Sequence, residues 1–170
     1  KTDVVLGGLY TLIEALKEID RKITLFIVGP SSVYHKALIK LLNNTQVSFK
    51  LFDYLPQEDV YEKMQQSEVF CVPSKREAFG VANLEAMAMG CKIVSTNVGG
   101  IPEALCDESF AWLVEPDDPV ALGKAVKLAL DTSIEKDLED IAEHLKQFSS
   151  LKVVSKFKEI LTACLYQVEN

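Results

Sequence analysis

The sequence predicts an α/β domain, a Rossmann-like parallel sheet covered by helices on both faces. Three observations predict it. Short apolar runs alternate along the chain with segments whose apolar residues recur at helical spacing. The stretch 69–100 reads as strand, loop, helix, strand, which is a βαβ unit. Finally, Gly29, Tyr54, Glu77 and Gly99 each fall just after a predicted strand, as ligand-binding residues of parallel sheets do.

Taken in order, Val4-Val5-Leu6 reads as a short strand, and Gly7-Gly8 precede a helix over 10–19 with Leu12, Ile13, Leu16 and Ile19 on one face. Residues 23–28 form an apolar strand closed by Gly29-Pro30; Ser31 or Ser32 can cap a helix over 33–42, and Asn43-Asn44 make a turn. A strand over 47–51 leads through a loop at Pro56 to a helix over 57–65, with Val60, Tyr61 and Met64 inward. After the strand at 69–72, a helix runs over 80–89, and Gly90 suits its left-handed C-terminal position. Residues 93–96 form the next strand, and Gly99-Gly100 a loop. Residues 101–105 read as a short helix with Pro102 in its first turn, 111–114 as a strand and 115–119 as a turn. Helices follow over 120–130, 134–148 and 151–167.

The chemistry concentrates in 73–100. The first turn of the helix at Gly80 has unsatisfied N–H donors and a partial positive charge, so it can hold a phosphate. Gly80 lacks a Cβ and lets a ligand approach the backbone. A carboxylate grips a vicinal diol by accepting two or more hydrogen bonds. Helical side chains tilt toward the N-terminus, which brings Glu85 back toward the mouth of the loop that carries Glu77. One carboxylate could then hold a ribose diol and the other a sugar diol, with a diphosphate between them on the helix N-terminus. Each residue also has a plain structural reading. Glu77 can cap the helix, Glu85 can be a solvated surface residue, and Phe79 can be core with only its backbone near a ligand. Gly29 can simply end a strand, Tyr54 can stack on a base or pack on the surface, and Gly99 can be only a turn.

The chain has 170 residues, enough for one domain with a sizeable core, and 48% of them are apolar. A net charge of −7 argues against a nucleic-acid or anionic-membrane surface. No apolar run approaches the roughly 20 residues of a membrane span, and no secretory signal is visible. The four cysteines, Cys71, Cys91, Cys106 and Cys164, form no close metal-ligand pair and read as reduced thiols of a cytoplasmic protein. His35 and His144 have no Cys or acidic cluster beside them in the sequence and read as solvated or packing residues, so no metal is expected. Lys1 in place of an initiator Met fits a fragment.

Glu77-Ala-Phe-Gly-Val-Ala-Asn-Leu-Glu85, continuing Ala86-Met-Ala-Met-Gly90, resembles the Glu-x7-Glu motif of retaining nucleotide-sugar glycosyltransferases of the GT-B fold, the glycosyl transferases group 1 family. The run Val94-Ser-Thr-Asn-Val-Gly-Gly-Ile-Pro-Glu103 resembles the family's next strand and Gly-Gly loop, and the likeness covers about residues 9–165. The resemblance implies the C-terminal, donor-binding half of such an enzyme. Helix 151–167 would cross toward an N-terminal acceptor domain not present here. Glu85 would hold the ribose hydroxyls and Glu77 would contact the transferred sugar. The N–H groups of Gly80 and Val81, with the backbone of Phe79 beside them, would hold the diphosphate. Backbone near Tyr54 would frame the base, and Gly99 would lie by the donor sugar. A nucleotide-diphosphate sugar would be the substrate, with no cofactor and no bound metal.

The chain departs from the family pattern in places. The family's loop before its first helix usually carries an Arg and a Lys that neutralise the diphosphate. Here the Lys position falls at Gly7 and no Arg precedes it. Asp53 stands where a Gly is usual, and Ala78 replaces a frequent Gly. The intact Glu pair favours a donor-binding domain; the missing cations favour a binding or interaction module that has lost catalysis. A nucleotide-sugar epimerase on the related two-domain fold is a third reading. A dehydrogenase is disfavoured, because no Gly-x-Gly-x-x-Gly follows a strand, and so is a response domain, which needs a clustered Asp pair.

Overall fold

Among the described residues the strands pair in parallel. β1 (Thr24–Val28) pairs with β2 (Ser48–Phe52), Thr24 opposite Ser48. β3 (Val69–Val72), β4 (Lys92–Thr96) and β5 (Ala111–Val114) form a second sheet in that order, with Val69 opposite Lys92 and Ile93 opposite Ala111. The computed structural model describes residues 8–29, 32–105, 111–133, 138–149, 151, 152 and 155. The strand expected at 4–6, Cys106, Cys164 and most of the helix expected over 151–167 lie outside these residues.

The helices are α1 (Leu9–Leu16), α2 (Ser32–Leu42), α3 (Gln57–Gln65), α4 (Val81–Ala88), α5 (Ile101–Leu105), α6 (Pro119–Asp131) and α7 (Leu138–Lys146). The expected elements that fall on described residues are present with small shifts at their ends. The first helix stops at Leu16 rather than Ile19, although Ile19 is still buried. Helix α3 begins at Gln57 as expected, and Pro56 ends the loop before it in the N-cap position, with φ −54° and an extended ψ of 151°. Gly80 precedes α4 rather than opening it, and Gly90 takes the left-handed conformation at φ 89° just beyond. Asp118 caps α6 by accepting the Ala121 N–H at 2.9 Å, with Pro119 in the first turn.

The chain divides into two compact units, residues 1–133 and 134–170. In the first unit, every residue of β4 is buried, so both faces of that strand are covered. Val94 joins Leu12, Leu16, Leu122 and Val126 of α1 and α6 in one cluster, which also takes in Val47 and the inward side of β1. The opposite face carries Ser95, which Asn83 of α4 reaches. A second cluster joins Ile13 of α1 to Ile27, Leu38 and Leu42 over the β1–β2 pair. Helix α1 therefore serves both sheets, and Gly123 lets α6 approach it; a Cβ there would lie 3.0 Å from the Ala15 carbonyl oxygen.

Cys91 is buried, its Sγ 3.0 Å from the Met64 carbonyl oxygen; Cys71 is half-buried as a residue, with its sulfur inside. Both are free, and burial pushes the thiol of Cys71 up to about 12 and that of Cys91 up to about 11. In the second unit His144 is buried and meets Phe148 edge-on at 5.2 Å, a packing role. His35 differs: its Nε2 lies 3.3 Å from the Asp53 carboxylate.

The doubly used core makes a testable claim. Leu122 is fully buried between α1 and the sheet, so Leu122→Ala should cost about 2–5 kcal/mol of stability, read by chemical denaturation.

Candidate functional site

The loop after β3 and the loop after β4 touch through glycine. A Cβ on Gly99 would sit 1.7 Å from the Glu77 carbonyl oxygen, and one on Gly100 would sit 2.6 Å from that of Ala78. The Gly100 N–H donates to the Ala78 carbonyl at 2.9 Å, and the Phe79 ring lies over Gly100. Gly99 has φ 55° and Gly80 φ 79°, so both turns use the conformation glycine tolerates best. Gly8 packs against the same strand end, since its Cβ would meet the Pro73 carbonyl oxygen at 1.6 Å. The N-terminus of α1 therefore stands beside the loop that carries Glu77.

At the start of α4 the backbone donors lack backbone acceptors, but Gly80 itself is buried: a Cβ on it would meet Asn83 Nδ2 at 2.8 Å and the Ile101 side chain at 3.0 Å, so its missing Cβ makes room for protein and not, as expected, for a ligand. The Asn83 N–H turns back to the Gly80 carbonyl at 2.9 Å, while the N–H groups of Gly80, Val81 and Ala82 have no backbone partner among the described residues. No side chain caps the helix and no acidic residue sits in its first turn. Glu77 is therefore not the cap that its position allows. It is half-buried, and its Oε1 accepts the N–H of Ala78 at 3.0 Å. Asn83 is almost wholly buried, with its Nδ2 3.4 Å from the Ser95 hydroxyl and its Oδ1 without a partner among the described residues.

Glu85, the fifth residue of α4, is half-buried and faces α3. Its Oε1 accepts from the Tyr61 hydroxyl at 3.0 Å and from Gln57 Nε2 at 3.3 Å. The Glu85 hydrogen bond raises Tyr61 above its ordinary value of 10.0, helped by burial and by the carboxylate charge and opposed by Gln57. Tyr61 lies on the inward side of α3, as expected, and is half-buried, with its phenol oxygen turned to a carboxylate of α4.

The remaining candidates gather less closely. The Gly29 N–H donates to the carbonyls of Phe52 and Asp53 at 3.0 and 3.3 Å, so the ends of β1 and β2 meet there. Gly29 has φ 102°, and a Cβ on it would meet open space. Tyr54 is 87% exposed. Lys75 pairs with Asp117 at 2.9 Å, and the exposed Arg76 makes no ion pair among the described residues. The structure thus brings Glu77, Phe79, Gly80, Val81 and Gly99 together, sets Glu85 within the same helix, and gives Gly29 and Tyr54 to the neighbouring loops. Sequence reasoning missed Gln57, Tyr61 and Asn83 as site residues. Gln57 and Tyr61 share a face of α3 at helical spacing, but nothing local points them at a carboxylate more than twenty residues on. Among the described residues no group of three or more His, Cys, Asp or Glu side chains is placed to hold a metal ion. No helix among them is long and apolar enough to cross a membrane.

Parallel sheets flanked by helices define an α/β domain, with the Glu77 carboxylate on the loop before α4 and the Glu85 carboxylate inside that helix. Comparison places it: residues 7–148 match the family of glycosyl transferases group 1, and the chain belongs to that family. It is 30% identical over 156 residues to N-acetyl-alpha-D-glucosaminyl L-malate synthase of Bacillus anthracis, covering 90% of this chain and 40% of that protein. The fold matches a glycosyltransferase of Rickettsia africae with TM-score 0.73 and 23% identity, over 93% of this chain and 44% of that one. It also matches Anabaena HepE, solved in complex with UDP, with TM-score 0.65 and 23% identity, over 92% of this chain and 45% of that one. These are GT-B proteins, and the chain spans less than half the length of each.

The loop contact and the carboxylate network can each be probed. Gly99→Ala places a Cβ inside the Glu77 carbonyl and strains a positive φ, so stability should fall by more than the roughly 1 kcal/mol of a left-handed alanine, with amide shifts at residues 77–80. Tyr61 should ionise above pH 10.0, and Glu85→Gln should lower that midpoint, read from the Tyr61 ring carbon shift.

Proposed function

We propose that this chain is the donor-binding half of a retaining glycosyltransferase, which moves a sugar from a nucleotide-diphosphate sugar to an acceptor. The observation that carries the reading is the row of open N–H groups at Gly80, Val81 and Ala82, with Glu77 just before it and Glu85 just inside the helix. Open donors at a helix start suit a diphosphate, and half-buried carboxylates suit the hydroxyls on either side of it. That HepE has been solved with UDP and with UDP-glucose supports the same ligand class.

In this reading Glu85 holds the ribose hydroxyls, and Glu77 contacts the transferred sugar, with Gly99 and Gly100 holding its loop. The N–H groups of Gly80 and Val81 take the diphosphate beside the Phe79 backbone. The loop carrying Tyr54 frames the base, with Gly29 behind it. The anomeric carbon keeps its configuration. The departing diphosphate is stabilised by the α4 N-terminus and by basic side chains, so the reaction needs no bound metal and no cofactor. The exposed Arg76, in the loop before α4, is one side chain that could pair with a phosphate. The enzyme works in the cytoplasm, where nucleotide sugars are available. The acceptor site belongs to the rest of a longer protein, so the chain by itself transfers nothing. The absence of an Arg or Lys at Gly7 favours a second reading, a module that binds the nucleotide sugar without catalysing transfer.

Amide-shift titration of the chain with UDP-, GDP- and ADP-sugars tests this. Binding should shift the amides of Gly80, Val81 and Glu85 for one nucleotide, and Glu85→Ala should weaken it by about tenfold or more. No shift at millimolar ligand, or an unaffected Glu85→Ala, would sink the donor-site reading. Binding without turnover in the full-length protein would select the second one.

A further inference from the structure

Glu85 does not stand alone in its helix. The Tyr61 hydroxyl and Gln57 Nε2 both converge on one oxygen, Oε1, at 3.0 and 3.3 Å. Gln57 Nε2 also reaches the Tyr61 hydroxyl, so the three side chains close on one another. The phenol has one proton; given to Oε1, it leaves the phenol oxygen to accept from Gln57. The second carboxylate oxygen, Oε2, accepts no hydrogen bond among the described residues. We propose that Tyr61 and Gln57 are positioning residues that hold Glu85 by Oε1 and leave Oε2 as the oxygen that takes the ribose hydroxyls of the nucleotide.

The argument is one of chemistry and of placement. An ionised carboxylate offers about four lone-pair sites, and two donors on Oε1 leave those of Oε2 for a ligand. A free Glu side chain has several rotamers, and freezing one during binding costs affinity. Two charge-assisted hydrogen bonds select the rotamer beforehand. Gln57 is the first residue of α3 and follows directly on the loop that carries Tyr54. The loop assigned to the base and the carboxylate assigned to the ribose are therefore tied through one helix terminus. The rise in the Tyr61 ionisation caused by Glu85 fits a bond made in the free protein.

The proposal rests on the assignment of Glu85 to the ribose, and the test separates the two. The 170-residue chain is titrated with UDP, GDP and ADP by calorimetry, and the nucleotide that binds is repeated as its 2′-deoxy and 3′-deoxy forms. Wild type, Tyr61→Phe and Gln57→Ala are compared, with inorganic pyrophosphate as the ligand that has no ribose. Tyr61→Phe should weaken the nucleotide by about two- to tenfold and leave pyrophosphate unchanged. The penalty for removing a ribose hydroxyl should shrink in the variant, because the oxygen it meets is no longer held. Equal weakening of ribo and deoxy forms would overturn positioning, and so would no change. Tighter nucleotide binding in Tyr61→Phe would overturn it too, by making Tyr61 a competitor for the carboxylate. If wild type binds none of the three nucleotides, the donor-site reading itself fails. Tyr61 and Gln57 are not in the buried core, and Gln57→Ala gives the same comparison should Tyr61→Phe fold poorly.

Discussion

Much of this structure depends on how closely two stretches of backbone approach. Residues 77–78 and 99–100 come so near that a single methyl group at position 99 would overlap a carbonyl oxygen. That contact ties the loop after β3 to the loop after β4, just ahead of the N–H groups at the start of α4, which have no backbone acceptor among the described residues. A longer side chain at either glycine would push the loops apart and move Glu77 with them. The site is thus built from backbone that glycine allows to touch, with side chains added at its margins.

The foundation beneath it is apolar and shared. β4 is buried along its whole length, and its two faces serve different partners: Val94 meets α1 and α6, while Ser95 meets Asn83 of α4. The strand that anchors the hydrophobic core also fixes the helix whose first turn is the candidate anion site. Fully burying an aliphatic side chain is worth about 1.5–3 kcal/mol, so the cluster around Leu122 and Val94 outweighs any one hydrogen bond in the loops above. Rigid positioning of the loops comes from that difference in magnitude.

Electrostatics set an apparent conflict, since a chain of net charge −7 is assigned an anionic ligand. Distance resolves it. Exposed charges are screened beyond about 8–10 Å in physiological salt, so the total charge says little about the field at one helix start. What counts locally is the helix start, whose N–H groups have no backbone acceptor among the described residues. Lys75 is held by Asp117 and contributes less free charge than its place in the loop suggests, whereas Arg76 is exposed beside it.

By itself the sequence determined the α/β class, the order of its elements and the βαβ unit with Glu77, Gly80 and Glu85 in their places, because apolar periodicity and glycine punctuation are local properties. The glycines at 80, 90 and 99 were legible for the same reason, and all three adopt positive φ. It also identified the loops that follow the strands, since a parallel sheet puts those loops at the strand ends. Only the tertiary structure decided that Gly99 lies against Glu77, that Glu77 folds onto its own loop instead of capping α4, and that Tyr61 turns its hydroxyl to Glu85. The ends of helices moved by a few residues because the last turn is settled by packing and capping, not by periodicity. Contacts between residues far apart in the chain follow from how sheets and helices pack, and no pattern within a single segment encodes them.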